Sequence, residues 1–315
     1  MKEWLRLPID GSAHGPQIDN MIAVIHWLML VLFVGWGIYF VYVLVRFRKS
    51  KNHKADPIGV KSHFSSYVEI AVAVVEAVLL IGFSIPLWAN IVNAFPAEKD
   101  ALVIRVVAEQ FAWNIHYPGA DGKFGRTAIH LVSSNNPLGI DRDDPDAKDD
   151  ITTINQLNLP VNKPVIIHLT TKDVIHSFSL PLYRVKHDAI PGQRTPLWFT
   201  PVKTTREIQQ ELTRNVSIAD GTMFPAPDMM VAMMDYNAND GTSIVKKGDG
   251  FSEEMIPLLL QAGITSVSAA PATPTEIACA QLCGLGHFRM RGFLTVETED
   301  EFKAWLAEQA SYLSQ

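Results

Sequence analysis

Ala278-Cys279-Ala280-Gln281-Leu282-Cys283-Gly284-Leu285-Gly286-His287-Phe288-Arg289-Met290 is the stretch on which the reading of this chain turns. Two thiols, an imidazole and a thioether fall within twelve residues, and two glycines give the backbone the freedom a tight ligand loop needs. Soft sulfur donors select copper or zinc over hard cations, and a thioether moves the choice toward copper. A mononuclear blue-copper site takes one thiolate, two imidazoles and a weak axial methionine, which leaves the second cysteine unused. Two thiolates can instead bridge two coppers, an arrangement suited to electron transfer, and that needs one more imidazole. A disulfide between the cysteines and a structural zinc with Met290 left in the core are the competing readings. The spacing of His and Met behind the cysteines favours a copper loop.

The pattern Cys-x3-Cys-x3-His-x2-Met resembles the dinuclear copper loop of cytochrome c oxidase subunit II. Asp173-Val174-Ile175-His176-Ser177-Phe178 and Lys186-His187-Asp188-Ala189-Ile190-Pro191-Gly192-Gln193 are similar to further blocks of that family, as is Gln110-Phe111-Ala112-Trp113 with Tyr117-Pro118-Gly119. The resemblance implies His176, Cys279, Cys283, His287, Met290 and the Gln281 carbonyl as ligands of two copper ions. It implies Phe111 and Trp113 on the route of electron entry. Phe111 stands where many members carry the tryptophan that takes electrons from cytochrome c. Gln281 replaces the common glutamate, which keeps the backbone ligand but removes a carboxylate and leaves magnesium at the subunit boundary doubtful.

With 315 residues the chain has room for two domains, or one domain and a membrane anchor. A hydrophobic content of 48%, concentrated near the N-terminus, favours the anchor. The net charge of -6 argues against nucleic acid as a partner. Both cysteines belong to the metal loop, and no Cys-x-x-Cys-His is present, so a haem-bearing donor has to be a separate protein.

Residues 1–20 are polar and lack the charged start and cleavage site of a signal peptide. Met21 to Val45 is apolar except for His26, long enough to cross a bilayer, and Ile70 to Ile91 is a second such segment with Trp88 suited to the outer interface. Between them lie Arg46, Arg48, Lys49, Lys51, Lys54 and Lys61, with Asp56 the one acid up to Lys61. Short basic loops stay on the cytoplasmic side, which places the hairpin (residues 21–95) in a bacterial inner membrane with both termini in the periplasm. Glu69 and Glu76 are seven residues apart and share a helix face; acids in a span should meet protein or water rather than lipid. Glu69 resembles the acid that the family places at the mouth of a proton path into the catalytic subunit. A headgroup position for Glu69 and a neutral structural role for Glu76 are the plainer alternatives.

Beyond the hairpin, Leu102–Val107, Pro164–Leu169, Leu197–Phe199 and Gly292–Val296 are short β-branched or aromatic runs that predict strands of an antiparallel sandwich. The resemblance implies a cupredoxin-like Greek-key domain over residues 96–297. Six aspartates between Asp141 and Asp150 offer a surface to a basic cytochrome, although solvated loops are commonly acidic, and that reading is preferred. Residues 204–270 read as an insertion holding six of the ten methionines and an amphipathic Ser252–Leu260; adaptable packing is favoured there over copper handling. A capping box at Thr298-Glu299-Asp300-Glu301 opens an amphipathic helix over residues 298–315.

The fold class expected is therefore membrane-anchored and mostly β, with a two-helix hairpin, a cupredoxin-like sandwich and a C-terminal helix. The function implied is electron entry from cytochrome c, or a complex bearing one, to haem in catalytic subunit I, alongside other oxidase subunits and membrane lipid. A nitric-oxide-reducing relative, or a stand-alone membrane-anchored copper protein, is the alternative; two acids on one membrane face favour a partnered subunit.

Overall fold

The computed structural model describes residues 2–51, 54, 58, 62–219 and 226–313. Lys61 and Asp56 of the basic loop, Pro225 of the insertion and the last two residues of the C-terminal segment lie outside them. The chain divides into two compact units: Met1–Leu7 with Pro16–Phe95, and Pro8–Gly15 with Pro96–Gln315.

The first unit is helical. Helix α1 spans Gly15–Arg46, starting ahead of Met21. His26, the polar residue in its apolar run, donates from Nδ1 to the Ile22 carbonyl one turn earlier at 2.8 Å, so the ring satisfies itself within its own helix. Helix α2 (Phe64–Leu79) continues through a π-helical turn, Leu80–Ser84, into α3 (Ile85–Asn93). Pro86 accounts for the turn. It has no N–H to give to the carbonyl four residues back, and its ring would clash there, so the helix widens by one residue. Both helical stretches are long and apolar enough to cross a membrane, and no residue in the most apolar part of either is buried within the chain itself. The protein is membrane-anchored.

The second unit is built from strands β1 (Leu102–Glu109), β2 (Ala112–Tyr117), β3 (Ile151–Ile154), β4 (Gln156–Pro160), β5 (Val165–Thr171), β6 (His176–Leu180), β7 (Val185–Ala189) and β8 (Thr195–Phe199). After helix α4 (Thr205–Glu211) come β9 (Arg214–Ser217), β10 (Met230–Ala232), β11 (Tyr236–Asn237), β12 (Ser243–Val245), α5 (Met255–Gln261) and β13 (Ser266–Pro271). Strands β14 (Glu276–Cys279) and β15 (Arg291–Glu297) and helix α6 (Glu299–Tyr312) complete it.

Two five-stranded sheets, ordered β3-β2-β1-β5-β8 and β4-β15-β14-β6-β7, form a sandwich. Ile104, Ile115, Leu157, Phe178, Ile277 and Leu294 contribute to its common core from both sheets. The alternating burial of β1 and β15 is what a strand with one face on a core requires. The expectation of a wholly antiparallel sandwich is corrected at two places: β1 pairs with β5, and β4 with β15, in parallel. Each pair joins strands separated by other elements in the chain, so no hairpin dictates their direction.

Three further features complete the unit. Residues 8–15 lie along it, with Gly11 N donating to the Leu182 carbonyl at 2.8 Å and Val202 N to the Gly11 carbonyl at 2.8 Å. The insertion has its own core of Ile218, Met230, Tyr236, Phe251, Leu259 and Val267 around the sheet β10-β13-β9, so it is a small subdomain rather than a loop. Met230 points into that core while Met229 and Met234 are exposed, which fits a packing role for part of the methionine run. At the end of the chain, Thr298 caps α6 through the predicted box with Glu301, and Phe302 is buried against the sandwich.

Candidate metal centre

Cys279 is the last residue of β14, and His176 is the first of the neighbouring strand β6. Their sheet register, Cys279 opposite Phe178 and Ala278 opposite Ser179, brings the imidazole beside the loop 280–290. The loop is closed at both ends by backbone bonds, Ala280 N to the Ser177 carbonyl at 2.9 Å and Cys279 N to the Met290 carbonyl at 3.3 Å. A single 3-10 turn, His287–Arg289, returns the chain to β15.

The donors converge. Cys279 Sγ and Cys283 Sγ are 3.7 Å apart, far beyond the ~2.05 Å of a disulfide. His176 Nδ1 lies 3.9 Å from Cys279 Sγ, and His287 Nδ1 lies 3.5 Å from Cys283 Sγ. Met290 Sδ is 3.8 Å from Cys283 Sγ, and the Cys279 thiol donates to the Gln281 carbonyl at 3.2 Å. One donor atom from each of His176, Cys279 and Cys283 falls within 4.8 Å of the others, a spacing that a metal ion can close. Burial, and then the adjoining Cys279 thiol, push the Cys283 thiol up to about 11, so a metal binding here must displace its proton. The soft donor set of two sulfur nucleophiles, imidazole nitrogens and a thioether fits copper.

Two polar residues that carry no role in the sequence reading surround the donors. Asp173 Oδ1 meets His176 Nε2 at 2.8 Å, which fixes the ring so that Nδ1 faces Cys279. Burial alone would raise the Asp173 carboxyl, but bonds from His176 and from the Gln110 and Val174 amides outweigh it and hold the group below its ordinary value. Gln110, in the turn between β1 and β2, donates from its side-chain amide to the Cys283 carbonyl at 2.6 Å. Asp173 was detectable as an acid three residues before the histidine. Gln110 had no local signal.

The remaining predicted residues are spread out. Phe111 rests on the metal loop: a Cβ added at Gly286 would stand 2.4 Å from its ring, so only glycine admits the contact. Trp113 is fully buried and packs edge-on against His176, with ring centroids 6.3 Å apart, and against Phe178 at 5.4 Å. Around the donors, Leu282, Leu285 and Phe288 are exposed at 79%, 97% and 82%, an apolar collar on the loop. Glu69 and Glu76 belong to the helical unit and are exposed on α2. Of the aspartates after residue 140, Asp141 and Asp144 pair with Arg126 of the same loop at 3.1 and 3.2 Å, and Asp150 pairs with His116 of β2 at 2.7 Å.

The chain is similar to several known proteins. Residues 102–207 match the family model of the periplasmic domain of cytochrome c oxidase subunit II. The alternative cytochrome c oxidase subunit 2 of Bradyrhizobium diazoefficiens is 25% identical over 311 residues, covering 98% of this chain and 85% of that one. The cytochrome c oxidase subunit 2 of Cereibacter sphaeroides is 28% identical over 207 residues, 60% of this chain and 66% of its own length. The crystal structure of the periplasmic domain of subunit II of the cytochrome oxidase of Bradyrhizobium japonicum matches 67% of this chain and 95% of its own, at 22% identity and a TM-score of 0.34.

Proposed function

We propose, for a chain that belongs to the cytochrome c oxidase subunit II family, that it is the electron-entry subunit of a respiratory haem-copper oxidase. The observation that carries this is the convergence of Cys279, Cys283, His176, His287, Met290 and the Gln281 carbonyl at the end of one sheet. These six residues would hold two copper ions. Copper in such a pair supplies one-electron redox chemistry with little change of geometry.

The chain's own part in that chemistry is positioning. The sheet ends fix Cys279 and His176, Asp173 turns the imidazole, and the collar of Leu282, Leu285 and Phe288 keeps water from the thiolates once a partner covers it. Phe111 and Trp113 flank the centre and are proposed as the route by which an electron from cytochrome c, or from a complex bearing one, arrives. The acceptor would be haem in catalytic subunit I, the subunit that would reduce oxygen to water, alongside further oxidase subunits. The basic residues Arg46, Arg48, Lys49 and Lys51 after α1 support a cytoplasmic hairpin loop, hence the bacterial inner membrane, with the β unit and both termini in the periplasm. Glu69 is proposed as the entrance of a proton path into the catalytic subunit.

The test is electron paramagnetic resonance of the full-length oxidised protein in detergent. Hyperfine coupling to two equivalent coppers is expected, and Cys283→Ser should abolish it. A four-line spectrum from one copper in the native protein would reject the two-copper reading.

A further inference from the structure

We infer that Gln110 is the positioning residue that clasps the cysteine loop to the histidine-bearing segment and so sets the retention of metal at the centre. The inference rests on the copper reading of that site.

The ligands come from two parts of the chain: His176 opens β6, which pairs with β14 as far as Cys279 and Ala280, whereas Cys283, His287 and Met290 lie beyond that pairing in the loop between β14 and β15. The histidine side is a firm body. Thr171 Oγ1 donates to the Ala108 carbonyl at 3.1 Å, Lys172 N donates to the same carbonyl at 3.0 Å, and Lys172 Nζ pairs with Glu109 Oε2 at 2.6 Å. These bonds fasten residues 171–173 to the end of β1, where Gln110 begins the turn.

Gln110 then reaches both ways. Its backbone N–H donates to Asp173 Oδ2 at 2.7 Å, while Asp173 Oδ1 holds His176 at 2.8 Å. Its side-chain amide donates to the carbonyl of Cys283, the buried sulfur ligand, at 2.6 Å. The loop is shaped to receive that amide. Gly284 has φ +126, and a Cβ there would lie 2.7 Å from Gln110 Nε2, so a side chain at that position would push the amide off. One residue therefore connects the orientation of His176 to the backbone of Cys283. Supporting bonds around metal ligands commonly govern affinity by ten to a hundredfold.

The experiment uses the full-length, copper-loaded protein in detergent and follows release of reduced copper to a chelator, together with the copper resonance spectrum and the melting temperature of the metal-free chain. Gln110→Glu keeps the shape but turns a donor into an acceptor facing a carbonyl, and Gln110→Met removes the polar group. Both are expected to release copper about tenfold faster and to alter the hyperfine pattern, with the metal-free melting temperature unchanged. Gln110→Lys, which returns a donor able to reach the same carbonyl, should release copper within about twofold of the native rate. Native release rates in the Glu and Met variants would overturn the inference, as would a Lys variant that behaves like Met. So would metal-free melting temperatures that fall in step with copper loss, since they would make Gln110 a fold residue only. A native chain that takes up no copper would instead remove the copper reading on which the inference stands.

Discussion

At Gln281 the backbone and the side chain have separate tasks. The carbonyl sits beside the Cys279 thiol, while the side chain is exposed. Gln281→Glu should therefore leave the copper spectrum nearly unchanged. It should raise the occupancy of manganese or magnesium in the purified complex, because a carboxylate attracts a hard divalent cation more strongly than a neutral amide does. Metal analysis after chelation checks this, and a native complex that already retains such an ion would defeat it. Glu297 presents the opposite case, a carboxylate in an unfavourable place. Burial raises its carboxyl above the ordinary value, and Glu301 adds to the rise. A raised acid binds its proton more tightly in the folded chain, so stability falls as pH climbs from the unfolded to the folded value and the penalty persists above it. Glu297→Gln should melt higher than the native protein at pH 7, with the gap closing at about pH 4. A melting temperature unchanged between the two at pH 7 would mean that the Asn158 amide, 3.4 Å away, already offsets the burial.

Among the elements, the long excursion between β2 and β3 depends on one buried pair. Asp150 and His116 are both buried, with Nε2 and Oδ2 2.7 Å apart, and the same oxygen accepts from Gly125 N at 2.9 Å. Phe124 from the excursion packs on the His116 ring at 4.9 Å, with the Arg105 guanidinium 4.0 Å from its ring centre. Asp150→Ala leaves the imidazole buried without its partner and should cost about 3 kcal/mol in denaturant unfolding. His116→Phe combined with Asp150→Leu should recover much of that loss, because the pair's net worth is small compared with the damage of halving it. A single variant within about 0.5 kcal/mol of native would remove the pair from this role. Such links mark the boundary of what the sequence discloses. The β-branched runs at 102–107 and 164–169, the capping box at Thr298 and the ligand loop are local patterns, and each appears in the fold where its pattern places it. Gln110 and Cys283 are 173 positions apart, and Gln110 and Asp173 are 63 apart, so no periodicity could join them. The parallel pairing of β1 with β5 and the separate core of the insertion are likewise decided by packing between distant segments.

For the whole molecule, the largest demand comes from the acids on α2. A carboxylate in a membrane span is costly unless it meets protein or water, and Glu69 and Glu76 are uncovered within this chain. A catalytic subunit seated against α2 would supply that cover, and the two positions then differ in what they can do. Glu69 lies in the second turn of α2, on a groove whose lining includes Trp36, Tyr39, Phe64 and Val68. It is near the basic segment, where protons from the inner surface can reach it. Glu76 is two turns deeper and one turn before the π-helical stretch, which makes it the internal comparison. If Glu69 gathers protons for a path in the neighbouring subunit, its loss should limit proton delivery and spare electron entry. Glu69→Gln is therefore expected to slow oxygen consumption with excess reduced cytochrome c by about tenfold, while the rapid reduction of copper by the donor keeps its native rate. Glu76→Gln should do the same only if the path continues along that face; a native turnover rate there would assign Glu76 to helix contact. Unchanged oxygen consumption in Glu69→Gln membranes, at equal enzyme content, would return Glu69 to the lipid headgroups and leave proton entry to the catalytic subunit alone.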